Sequence, residues 1–255
     1  MSSSAVPSLA LQGDAAASSQ NIARAAAALA ALQTVLFLVP MAVLGQAIGW
    51  PASLRLPATE VLPLIAGQTN AVLIGYGAYL TVSLALIPLA FVMRTWLATK
   101  GVIGWHVDAA AFIGAGAGLF KTLGIVRWLS VMPMLAAEYK AADQSARQVI
   151  ELSYRTINAY AGAVGELLGV QLLSGIWLVA IGFALRQADK SWLGIAGIAL
   201  GSMFLATALR VAFPVAALIQ SAAVPLALLW FAGLAVMLWR DMVLGGLNLR
   251  STAPA

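Results

Sequence analysis

Six stretches of this chain run for about 20 residues or more with few charges, and nothing else in it limits the fold as strongly. A hydrocarbon core of ~30 Å takes about 20 apolar residues of helix to cross. Inside it each backbone polar group must be satisfied within its own segment. The stretches are 25–49, 66–93, 105–132, 157–185, 191–210 and 217–239, and they predict an all-α fold: a polytopic transmembrane bundle of about six spans. Composition agrees, with 62% hydrophobic and 9% charged residues against roughly 25% charged in a soluble domain. A soluble globule, a disordered chain and a disulfide scaffold are excluded.

Between and beside the spans the chain is short of material. Residues 1–24, rich in Ser and Ala, read as a disordered N-terminal tail, and 241–255 as a short C-terminal tail, leaving 25–240 as the membrane domain. The run from Ala25 is too long for the ~7–15-residue core of a signal peptide, so it reads as an uncleaved span. Pro51, Pro57 and Pro63 predict a loop over 50–63, because proline cannot continue a helix interior. Asp143, Arg147, Glu151 and Arg155 recur every four residues, the pattern of an exposed, ion-paired helix face. Leu135, Tyr139, Ala142, Val149 and Ile150 fall on the other face. This predicts one extramembrane helix before span 4, acting either as a lid over an outward cavity or simply as a solvated helix lying on the bundle.

Charge orients the bundle. One side of a six-span arrangement holds Arg24, Arg94, Lys100, Arg186, Lys190, Arg240 and Arg250; the other holds Arg55, Lys140, Arg147, Arg155 and Arg210. The richer side is expected to be cytoplasmic, with both termini on it. The net charge of +5 suits anionic lipid headgroups, and with no basic run or zinc-finger spacing nucleic acid is not an expected partner. The bilayer is.

Chemistry is sparse. The chain has no Cys and one His, which removes disulfides, Fe–S clusters, thiolate sites, bis-His haem and the usual zinc sites. No metal or cofactor is expected. No nucleophile elbow, metalloprotease helix or P-loop is present, and no catalytic residue is assigned. Glycines paired at four-residue spacing (Gly114 and Gly118, Gly165 and Gly169, Gly197 and Gly201) let helix backbones approach closely in lipid. They predict spans 3, 4 and 5 as the central bundle. Pro88 and Pro225 predict kinks in spans 2 and 6.

Three charges sit where charge is costly, ~2.5–3.5 kcal/mol each at the bilayer centre: Lys121, Arg127 and Glu166. Counted at 1.5 Å per residue from the outer surface, Arg127 lies ~9 Å deep, Glu166 ~14 Å and Lys121 ~18 Å. The carboxylate therefore falls between the cations in depth. Arg155 and Arg210 are candidates for an outer rim. One reading is a buried ion pair fixing how span 3 meets span 4. Another is a positive site for a headgroup, carboxylate or phosphate, or a proton carrier at Glu166. A third is a lipid-modifying enzyme using Glu166 as base.

Arg127-Trp128, Pro133, the Gly165-Glu166-x-x-Gly169 turn, Trp177 and the Trp50-Pro51-Ala52-Ser53 loop together resemble a family of bacterial integral membrane proteins of about six spans and unknown function. The likeness covers about 25–245. It implies a bacterial cytoplasmic membrane and brings no activity, cofactor or site residue. The function expected from the residues is binding or transport of a small anionic or proton-coupled solute, or else a structural or regulatory subunit whose buried charges only fix packing.

Overall fold

The computed structural model describes residues 6–211 and 216–251, with side chains over 17–209, at 219 and over 222–244. Every regular element among the described residues is helical. They are α1 (Val6–Ile48), α2 (Ala58–Gly67), α3 (Thr69–Thr99), α4 (Trp105–Leu129), α5 (Val131–Ala141), α6 (Gln144–Gly162), a π-helical segment (Ala163–Leu173), α7 (Ser174–Gln187), α8 (Ser191–Thr207) and α9 (Ala216–Ser251). Five helical stretches are long and apolar enough to cross a membrane: Ala17–Ile48, Thr69–Thr99, Trp105–Ala141, Gln144–Gln187 and Ala222–Leu244. α8 is shorter, 17 residues or ~26 Å, and a 3-10 turn, Ala208–Val211, prolongs it.

The long helices close into a ring. α1 packs on α3, α3 on α4, α4 on the π segment and α7, α7 on α8, α8 on α9, and α9 back on α1. Spans 3, 4 and 5 are thus consecutive members of a ring rather than its centre. The glycine pairs do mark close approaches. A Cβ on Gly118 would lie 2.7 Å from the Ser83 carbonyl oxygen, and one on Gly201 2.6 Å from that of Gly175. Two apolar cores fill the molecule. One, at the end where α3 stops and α4 starts, gathers Trp96, Trp177, Leu185, Leu193 and Leu238. There Asp241 also pairs with Lys100 at 3.0 Å and Lys190 at 2.7 Å, tying the end of α3 and the start of α8 to α9. We call this the clamp end. Trp105, Trp192 and Trp239 are exposed around it, as in an interfacial aromatic belt.

The second core lies at the opposite end, the loop end, and joins Leu44, Ile48, Tyr76 and Trp128 of the ring to α2, α5 and α6. Several sequence expectations change here. Residues 58–67 form a helix despite three prolines: Pro51 precedes a 3-10 turn (Ala52–Arg55), Pro57 caps α2, and only Pro63 lies inside it. Proline is tolerated at a helix start, and Val61, Leu62 and Ile65, all fully buried, hold the short helix down at ~1.5–3 kcal/mol per side chain. Pro133 does not end a span. α4 breaks at Ser130 (φ −123°, ψ −74°), and Pro133 sits in the first turn of α5. Pro88 and Pro225 lie inside α3 and α9, as expected of the two prolines within spans. α1 is helical from Val6, where a disordered tail was expected, with Ala23 already buried. Alanine is the best helix former, and the Ala-rich segment extends the first span instead of fraying from it. α9 likewise runs on to Ser251 through the expected C-terminal tail.

The helix expected before span 4 is α6. Asp143 caps it by accepting the Ala146 N–H at 2.8 Å, a bond that holds its carboxyl below the usual range. Tyr139 donates to Glu151 at 2.8 Å, and Arg147 lies over the Tyr139 ring. These contacts close α5 and α6 into a hairpin. Ile150 and Tyr154 are its buried face, whereas Val149 is exposed. α6, the π segment and α7 form one stretch of 44 residues. At ~66 Å it is twice what a bilayer core requires, which leaves α6 to project beyond it.

Candidate functional site

The site begins with backbone contacts between glycines. A Cβ on Gly124 of α4 would lie 2.5 Å from the Gly165 Cα, and one on Gly169 would lie 2.7 Å from the Lys121 backbone nitrogen. Only glycine allows α4 and the next helix this close. Wider i→i+5 winding sets in along the same contact, over Ala163–Leu173. Such segments are rare and concentrate at functional sites. Ser174 closes it by donating its hydroxyl to the Gly169 carbonyl at 2.8 Å. Glu166 lies on the π segment, opposite Lys121 and Arg127 on α4.

All three residues line one cavity of about 760 Å³ at the loop end of the ring. Their positions differ in kind. Arg127 is buried and engaged: Nη1 donates to the Gly124 carbonyl at 2.6 Å, Nε donates to Asn158 Oδ1 at 3.2 Å, and the guanidinium lies 5.4 Å from the Trp128 ring centroid. Trp128 in turn stacks on Tyr76, with centroids 4.9 Å apart and planes at 6°. Asn158 passes the contact on by donating to the Leu54 carbonyl at 3.2 Å, and Tyr154 donates to that of Leu56 at 3.3 Å. α6 thus pins the 50–56 loop from outside, and that loop forms the cavity wall with Trp50, Leu54 and Arg55. The loop borders the cavity and no residue of α6 does, so α6 packs on the loop rather than lying over the cavity as a lid.

Glu166 borders the same cavity as Arg127 and Tyr79. Lys121 has no hydrogen-bond or ion-pair partner among the described residues. It borders this cavity and a second one of about 80 Å³, nearer the clamp end, which also reaches Gln33, Ser174 and Trp177. Phe37, Tyr79 and Trp50 form an edge-to-face aromatic cluster on the wall, with Phe37 and Tyr79 centroids 5.0 Å apart. The Tyr76 hydroxyl and the Trp50 indole nitrogen are buried without a hydrogen-bond partner among the described residues.

The proposed rim fares differently. Arg155 is exposed and does not border the cavity. The inward residues of α6 are Tyr154 and Asn158, and the position next to Tyr154 is turned by about 100°. The side chain of Arg210 lies outside the described residues. The rim cation is instead Arg55, missed because its proline-rich surroundings read as a mere connection. Tyr76 and Tyr79 were also missed, although their i,i+3 spacing on an apolar span is the signal of a shared face. Among the described residues no group of three His, Asp or Glu side chains is placed to hold a metal ion. Three cations beside one carboxylate can bind an anion; no nucleophile–base pair is assembled among them. No family model, curated protein or solved structure matches the chain.

Proposed function

We propose that the chain is a multi-pass protein of a bacterial cytoplasmic membrane, with both termini cytoplasmic and the loop end outward, and that its cavity binds or passes a small anionic solute. The bacterial membrane is proposed from the sequence resemblance at Arg127-Trp128 and the Gly165-Glu166 turn alone. The orientation rests on the larger number of Lys and Arg residues toward the clamp end.

One observation carries the functional reading. Arg55, Lys121 and Arg127 border a single cavity with one carboxylate, Glu166, and Lys121 has no charged partner among the described residues. Lys121 is half-buried, and an ammonium held inside an apolar span without a protein partner is costly. An anionic ligand would offset that cost. The packing alternative has support at one residue, Arg127, whose bonds to Gly124 and Asn158 give it a structural task. The two readings therefore divide between the two cations: Arg127 holds the wall and Lys121 meets the ligand.

The test is thermal unfolding of the purified protein in lipid nanodiscs at constant ionic strength, titrated with small carboxylates and with phosphate. Saturable stabilisation, rising by about 2.7 kcal/mol at a hundredfold excess over Kd, is expected for the native protein and for Arg94→Gln, and is expected to vanish in Lys121→Gln. No saturable shift with any anion would overturn the proposal.

A further inference from the structure

The two cavities adjoin. Phe37, Tyr79, Lys121, Val170 and Val224 border both, so Lys121 is one of the side chains that divide them. The chambers differ in charge. The larger one, at the loop end, carries the other two cations and Glu166. The smaller one is walled mainly by Val82, Leu86, Trp177, Leu178, Phe204 and Phe231, and Trp177 stacks on Phe231. Its polar groups are already occupied in part: Gln33 donates to the Val82 carbonyl, Ser83 to Tyr79 and Ser174 to Gly169.

A cation shared by a chamber that holds further charges and a chamber that holds none suits a ligand with the same division. We infer that the ligand is a short-chain alkyl carboxylate, its headgroup on Lys121 in the large chamber and its chain in the small one. This rests on the anion-binding reading above and narrows it. A carboxylate fits better than a dianionic phosphate because Glu166 shares the headgroup chamber. Size limits the tail. A dry cavity of roughly 150 Å³ accommodates benzene, so about 80 Å³ suits an unbranched chain of a few carbons and not a ring.

The experiment is a nanodisc thermal-shift series with acetate, propionate, butyrate, pentanoate, hexanoate and octanoate, in the native chain, Lys121→Gln and Ala227→Leu. Ala227 borders only the small chamber, so leucine there fills it without touching the headgroup site. Val82→Phe repeats the filling from the opposite wall in case Ala227→Leu fails to fold. Apparent affinity is expected to rise about fourfold per added carbon, peak near four to six carbons, and fall at octanoate. Filling the small chamber is expected to flatten the series while acetate still binds, and Lys121→Gln to abolish it. Equal binding of acetate, phosphate and longer acids, lost in Lys121→Gln, would overturn this inference and leave the anion site standing. A chain-length effect that survives both Lys121→Gln and chamber filling would be partition into the bilayer, and would overturn it too. No binding of any anion would overturn both.

Discussion

Arg127 and Lys121 lie six positions apart on one helix and carry the same charge, yet their surroundings assign them opposite tasks. Arg127 spends its donors on protein: the Gly124 carbonyl, and through Asn158 the 50–56 loop. Lysine cannot reproduce that planar fork. Arg127→Lys and Arg127→Gln are both expected to destabilise the protein by about 1–3 kcal/mol, since a charged hydrogen-bonding group is lost from buried partners. In a double-mutant cycle measured by chemical unfolding, Arg127→Gln and Asn158→Ala are expected to couple by about 1 kcal/mol or more. Lys121→Gln with Asn158→Ala is expected to be additive. Additivity in the first pair would mean that the loop is not held through Arg127. The three intramembrane charges were legible in the sequence because charge inside an apolar span stands out against its cost. Their division of labour was not, because it depends on Asn158 and Leu54, which sit 31 positions from Arg127 and 104 from Asn158 respectively and look ordinary in a linear reading.

At the level of the helices, the decisive contact is glycine on glycine. Gly124 and Gly165 meet so closely that a Cβ on Gly124 has nowhere to go, being 2.5 Å from backbone rather than from a flexible side chain. Gly124→Ala is expected to destabilise by several kcal/mol and to lower anion affinity, because it parts α4 from the π segment that carries Glu166. Gly77→Ala in α3 is the control: nothing lies within 4 Å of its added Cβ, and alanine is intrinsically favoured by ~1 kcal/mol in a helix interior. It is expected to leave stability unchanged or raise it slightly. Equal losses for the two would refute the close-approach argument. The glycine spacing announced these contacts in advance. The π winding had no comparable signature, since i→i+5 bonding leaves no periodic mark over 11 residues. α2 was hidden for the converse reason: three prolines outweighed a short apolar pattern whose burial comes from α5 and α6, elements distant in sequence.

Across the whole molecule, the ring arrangement explains why a chain of such uniform hydrophobicity holds a charged cavity at all. Six helices packed side by side around a closed circuit leave an interior. Tryptophans and leucines fill it at the clamp end, and the loop end keeps it open beneath a short proline-rich wall. Hydropathy located the helices, because length and apolar content are local properties. It could not close the ring, because which helix neighbours which is settled by side-chain shape and not by hydrophobicity. The account's central claim is that this cavity is reached from the loop end and holds an anion on Lys121. The chain has no native cysteine, so Met41→Cys, on the α1 side of the cavity, gives a single probe that leaves Lys121 in place. The most direct measurement is its rate of labelling by a membrane-impermeant thiol reagent in oriented vesicles. Labelling is expected only from the face opposite the termini, slowed by butyrate in the native background and unaffected by butyrate once Lys121 is changed to Gln. Labelling from the terminus side, or butyrate protection that persists without Lys121, would contradict the account.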